Sequence, residues 1–162
     1  MTASHNEEKF NALVQSIDFD LRYRSFCKER INLSVPSGRS IDLSDVTSCV
    51  ERLPLSFRYM KSEKFFRHQE KFDGFTLLFH LSVRGSVIQP MIYLKTGEGI
   101  VGDPFAMLTW AALKRREGVV MPPERELALC FSNTDELYEA LEFSTTLYVE
   151  MRKITIEASP WS

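Results

Sequence analysis

Apolar residues recur at Phe10, Leu13, Val14, Ile17 and Leu21, the spacing of one stripe along a helix. Ser4-His5-Asn6-Glu7 precedes that stripe and reads as a capping box opening it. The rhythm then shortens. Residues 30–35 and 39–43 read as two short strands joined by the turn-forming Pro36-Ser37-Gly38. Ser44 or Asp45 is placed to cap a short helix ending at Val50. Residues 55–72 fit two periods. Arg58, Lys61, Lys64, Arg67 and Lys71 recur at helical spacing, whereas the interleaved aromatics suit strands.

The clearest segment is 75–83. Phe75, Leu77, Phe79, Leu81 and Val83 alternate with positions that include Thr76, His80 and Ser82, the pattern of a half-buried strand. Arg84-Gly85-Ser86 turns the chain and 87–95 returns as a second strand. Pro90 has no N–H for a ladder, which predicts an edge strand or a bulge. Asp103 then reads as the cap of a helix with Pro104 at its first position. That helix carries Lys114, Arg115 and Arg116 in its last turn and ends at Gly118. After the Pro122-Pro123 break, 127–131 is a short buried strand. Asn133 or Thr134 caps a long helix from Asp135 to about Lys153, and 154–157 reads as a last strand. Mixed helices and adjacent strand pairs predict a single α+β domain over 1–162, with a mainly antiparallel sheet and packed helices.

Composition narrows the function classes. The chain has 162 residues, 44% hydrophobic and 26% charged, with 20 Lys+Arg against 22 Asp+Glu. A net charge of −2 excludes a uniformly basic nucleic-acid binder and an acidic disordered chain. No apolar run approaches the roughly 18 residues that span a bilayer. The polar start lacks the basic and apolar stretches of a signal peptide, so a cytoplasmic location and no membrane partner are expected. Cys27, Cys49 and Cys130 are far apart, so neither a metal-ligand nor a redox spacing is present and no metal or cofactor is expected.

Three stretches carry candidate chemistry. Gly97-Glu98-Gly99-Ile100-Val101-Gly102 matches G-x-G-x-x-G between a strand and a helix. Asp103 would set a negative charge beside a phosphate, and the preceding strand belongs to a hairpin, so the stretch reads as a glycine-permitted loop. His80 shares a strand face with Thr76, Ser82 and Arg84. A cleft joining His80, Arg84 and the Gly97 to Asp103 loop would make the chain a small enzyme or ligand-binding domain. No catalytic set is legible there. Residues 52–84 hold seven cations against three carboxylates, with Tyr59, Phe65, Phe66 and Phe72 between them. That composition suits single-stranded nucleic acid through the 58–71 segment. It is ranked below a protein partner because the chain as a whole is acidic.

The stronger asymmetry is acidic. Residues 117–151 contain eight carboxylates and one cation, Arg125. On the long helix Leu137, Leu141, Ser144, Tyr148 and Met151 form the inward stripe. At about 100° per residue, Glu136, Glu139, Phe143 and Glu150 share the other side. An aromatic ringed by carboxylates is the composition of an interface anchor for a basic partner. Glu136, Glu139, Glu142 and Phe143 are therefore the predicted partner-facing patch.

Residues 74–105 run strand, Arg84-Gly85-Ser86, strand, Lys95-Thr96-Gly97, Gly102-Asp103-Pro104-Phe105 and helix. This texture, over about a fifth of the chain, resembles bacterial immunity proteins that neutralise the toxin domains of contact-dependent growth-inhibition systems. The resemblance implies a non-enzyme that binds one protein toxin, often a basic nuclease. It carries no residue assignments. The expectation is a cytosolic, non-catalytic protein binder that inhibits a toxin.

Overall fold

The computed structural model describes residues 4–118 and 122–162. Helix α1 spans His5–Ser16, and the Ser4 hydroxyl accepts from the Glu7 amide as the N-cap. Phe10 and Val14 are buried, as the stripe requires. The stripe does not continue to Leu21. Asp18 sits at φ 54°, in the left-handed region that Asp tolerates better than most residues, and the chain turns there. Helix α2 (Phe19–Lys28) restarts with a new phase. Phe19, Tyr23 and Cys27 go inward, and Leu21 is left 43% exposed.

The strands expected at 30–35 and 39–43 do not form. The stretch is turn and irregular chain with no buried residue from 30 to 42, so no apolar face could reward a ladder. The predicted turn is present: the Arg39 amide donates to the Pro36 carbonyl, with Gly38 at φ 84°. Helix α3 (Leu43–Glu51) begins earlier than expected. Asp42, not Ser44 or Asp45, is its N-cap, and Asp45 completes a capping box.

Residues 55–72 resolve as strands. β1 is Arg58–Met60 and β2 is Phe65–Phe72. β3 (Phe75–Arg84), β4 (Val87–Thr96) and β5 (Gly99–Pro104) follow as successive hairpins, and β6 is Leu129–Cys130. The order is β1-β2-β3-β4-β5, all antiparallel, with β6 on β4 beyond the end of β5. β4 is therefore central, and its pairing with β3 runs through Pro90 without a bulge, contrary to the edge strand or bulge predicted there. The registers explain how proline is accommodated. β5 pairs from Met91 onward and β6 pairs only Val87 and Ile88, so Gln89 and Pro90 fall in the gap between them.

Helix α4 is Phe105–Glu117 and starts one residue after the predicted position. Asp103 is not a cap; it lies in β5 opposite Ile92. Gly118, at φ 101°, closes the helix by donating to the Lys114 carbonyl at 2.9 Å. A short 3-10 turn (Glu124–Glu126) and β6 lead to α5, Thr134–Glu157, capped by Asn133. The last strand expected at 154–157 is the final turn of α5. Thr155 continues the inward stripe there, and the Trp161 indole N–H donates to its carbonyl at 2.9 Å.

The helices pack on one face of the sheet. Leu77, Phe79, Leu81, Ile92 and Leu94 point toward them and are fully buried. The Phe79 ring lies between Tyr148 of α5 and Phe105 of α4, at centroid distances of 4.5 and 6.0 Å. Glu70 also faces inward, where the Arg152 guanidinium and the Tyr148 hydroxyl donate to it. Burial alone would raise its carboxyl pKa; Arg152 outweighs that and holds it below the usual value. The result is an α+β fold built on a mainly antiparallel sheet.

Candidate functional site

The predicted acidic patch lies on α5, but its members do different things. Glu136 accepts from the Ser132 amide at 3.1 Å and from the Ser132 hydroxyl, so it tightens the turn that enters its own helix. Glu139 is exposed and accepts from Arg30 Nη2 at 3.3 Å. Glu142 is exposed and makes no ion pair among the described residues. Phe143 is only half-buried, yet it is not bare. Its ring stacks on Phe26 of α2, with centroids 3.9 Å apart and planes 2° from parallel. The Arg30 guanidinium lies over Phe26 at 3.5 Å and also reaches Glu29 at 3.6 Å.

These contacts floor an open groove of about 480 Å³ between α2 and α5. Asp18, Leu21, Arg22, Ser25, Phe26 and Glu29 supply one wall and Phe143 the other. Arg22 pairs with Glu150 across it. Around the groove stand Asp18, Glu29, Glu139 and Glu150, against Arg22, Arg30 and Arg116, each paired with one or two of them. The rim therefore carries one more carboxylate than cations over an aromatic floor. The sequence reading missed the α2 half. Its signal was present in Asp18, Leu21, Arg22, Ser25 and Glu29, which follow helical spacing once the helix restarts at Phe19.

His80 is in a different place. It lies on the outward face of β3 and is 8% exposed, stacked on Phe65 at 4.3 Å and 5.5 Å from Tyr93. Arg67 Nε donates to His80 Nε2 at 3.2 Å. Burial, and secondly the charge of Arg67, push its pKa down to about 4. The ring is thus neutral near pH 7, and its basic nitrogen is already occupied by a donor. The cleft expected to join His80, Arg84 and the glycine loop does not form. Arg84 instead lines a largely apolar cavity of about 390 Å³ with Tyr23, Met107 and Trp110, and neither His80 nor any residue from Gly97 to Asp103 reaches it.

Gly97 and Glu98 make the tight turn of the β4–β5 hairpin. Gly102, at φ 115°, allows β5 to lie against β4: a Cβ there would stand 2.2 Å from the Ile92 carbonyl oxygen. These glycines serve strand pairing, and α4 begins only at Phe105. Cys27 is buried and its thiol is pushed up to about 12 by that burial, so it is inert as a nucleophile. Among the described residues no cluster of three or more His, Cys, Asp or Glu side chains is arranged to hold a metal ion. Among the described residues, no helix is long and apolar enough to cross a membrane. No family model, no curated protein and no solved structure matches the chain.

Proposed function

We propose that the chain is a non-catalytic protein that binds and neutralises a basic protein partner, in the manner of an immunity protein acting on a toxin domain. The contact is the α2–α5 groove. One observation carries the reading: the parallel Phe26–Phe143 pair, half-open at the floor of a groove whose rim carries a surplus of carboxylates. Aromatic floors inside a charged rim are where binding energy concentrates, and the surplus of carboxylates speeds encounter with a cationic surface. Leu21, 43% exposed beside that floor, adds apolar area that only a partner would bury. The toxin-inhibitor role rests on the resemblance of 74–105; the binding role rests on the groove.

The test uses variants that leave the stacked rings in place. Leu21→Asp with Glu29→Lys alters two exposed side chains that line the groove, so the melting temperature should stay within about 2 °C of wild type. Affinity for the partner captured from the source lysate, measured by calorimetry, should fall at least about tenfold, or about 1.4 kcal/mol. Unchanged affinity would remove the groove from the interface.

A further inference from the structure

Among the described residues no helix lies on the other face of the sheet except toward Ser82 and Arg84, where Met107 and Trp110 of α4 border the apolar cavity. Register places Arg58 and Met60 of β1 beside Arg67 and Phe65 of β2, then His80 of β3 and Met91 of β4. Two rows further along the same face, Lys71, Thr76, Lys95 and Ile100 are neighbours. Alternation then assigns every charged strand residue to a face. Arg58, Arg67, Lys71, Arg84 and Lys95 are on that side and all are cations; Arg84 borders the cavity beside α4, and the other four stand on the open part. The strand carboxylates Glu70 and Asp103 fall on the helix-covered face, and Glu63, Asp73 and Glu98 are confined to hairpin turns. An acidic chain has therefore gathered its strand cations onto one side of its sheet with no strand carboxylate among them; Glu63, in the β1–β2 turn, is near enough to Arg67 to feel its charge.

That surface is also aromatic. Phe65, His80 and Tyr93 form a diagonal row across three adjacent strands, with centroid spacings of 4.3 and 5.5 Å. Phe65 and Tyr93 are half-exposed, and Ile100 is 60% exposed. Gly102, opposite Tyr93, adds no side chain to the face. Arg67 and Lys71 are four residues apart on β2, so cations flank the row at both ends over about 13 Å. We propose that this open sheet face is a binding surface for single-stranded nucleic acid. Backbone phosphates pair with Arg58, Arg67, Lys71 and Lys95, and unpaired bases stack on the half-exposed Phe65 and Tyr93, which His80 holds in place from between them. Charge selects a polyanion; the flat rings select one whose bases are free to stack, which a duplex conceals and an acidic peptide lacks. The surface is separate from the α2–α5 groove, and the inference does not depend on it.

The test measures fluorescence anisotropy of a labelled oligouridine, a labelled oligodeoxythymidine and a labelled duplex, each of about 15 nucleotides or base pairs. At about 50 mM salt the full chain should bind a single strand at least about tenfold more tightly than the duplex. Preference for oligouridine names RNA as the source, and equal binding names single strands of either sugar. Lys71→Glu with Lys95→Glu changes two exposed residues and should weaken binding at least about tenfold. It should also flatten the salt dependence by about 1.4, from about 0.7 for each phosphate that is no longer neutralised. Arg58→Glu with Lys95→Glu is the second pair, should the first disturb folding. Arg125→Glu with Lys153→Glu makes the same change in net charge away from this face and should leave affinity within about twofold. Absence of binding at low salt, duplex binding as tight as single-strand binding, or equal weakening in the control pair would overturn the proposal. Equally tight binding of a labelled polyglutamate would also overturn it, and would reassign the face to acidic protein segments.

Discussion

His80 shows how a residue's chemistry is set by what surrounds it. On the strand pattern it reads as a histidine with polar company. In the fold it is packed between Phe65 and Tyr93 with Arg67 donating to its ring. Its pKa, about 4, lies below the ordinary value of 6.5. The sign of the consequence follows. Above about pH 6.5 the residue is neutral in folded and unfolded chains alike and adds no pH dependence. Between 6.5 and 4 the unfolded chain takes up a proton that the folded chain refuses, so stability falls as pH falls. His80→Phe keeps a ring in the stack and removes the titration. The drop in urea midpoint between about pH 7 and about pH 4.5 should be smaller in His80→Phe than in wild type. An identical drop in both proteins would mean that His80 is not held neutral. Phe143 makes the same point for packing. Its conspicuous place among carboxylates was legible in the sequence. Its parallel partner Phe26, on a helix more than a hundred positions away, was not, because nothing in a linear pattern pairs two helices face to face.

At the scale of elements, the joint between α1, α2 and α4 is the most sharply specified. The Asp20 carboxylate has no solvent exposure, and Arg116 donates to it through Nε at 2.7 Å. The same guanidinium also reaches Asp18 at 2.9 Å and the Gln15 carbonyl at 3.1 Å. One side chain thereby fastens the end of α4 to the break between α1 and α2. Arg116→Met leaves the Asp20 charge buried without its partner and should cost about 3 kcal/mol, read from the urea midpoint. Adding Asp20→Asn should recover most of that stability; a double variant no more stable than the single would assign the effect to Arg116 packing instead. Lys114, Arg115 and Arg116 were legible as a helix C-terminal cluster. Which of them would meet a buried carboxylate was not, because Asp20 lies 96 residues away along the chain. The missed elements share a cause. Residues 30–43 alternate like strands and 154–157 include β-branched residues, but local propensity becomes a strand only where a neighbouring strand offers a free ladder.

Across the whole molecule, charge is sorted by side. Strand cations gather on the open sheet face, and the rim of the α2–α5 groove mixes paired cations with a small excess of carboxylates, although the net charge is only −2. Stability is graded as well. β3 is paired on both sides along most of its length, and α5 carries a buried stripe from Leu137 to Thr155. β1 is three residues long at a sheet edge. Amides of β3, β4 and central α5 should therefore exchange at least about a hundredfold more slowly than those of β1 and the first turn of α1. Equally slow exchange in β1 would show that its outer edge is covered.

By itself the sequence determined the periodic elements, the hairpin core at 75–95, the helix boundaries set by Gly118 and Asn133, and the α+β class. Each of these depends on residues within a few positions of one another, where period and capping act. Only the tertiary structure decided that β4 is central, that Phe143 meets Phe26, that His80 is neutral, and that the cations of separate strands share one open face. Those outcomes depend on register and on which helix covers which side. Both are set by burying apolar surface between distant parts of the chain.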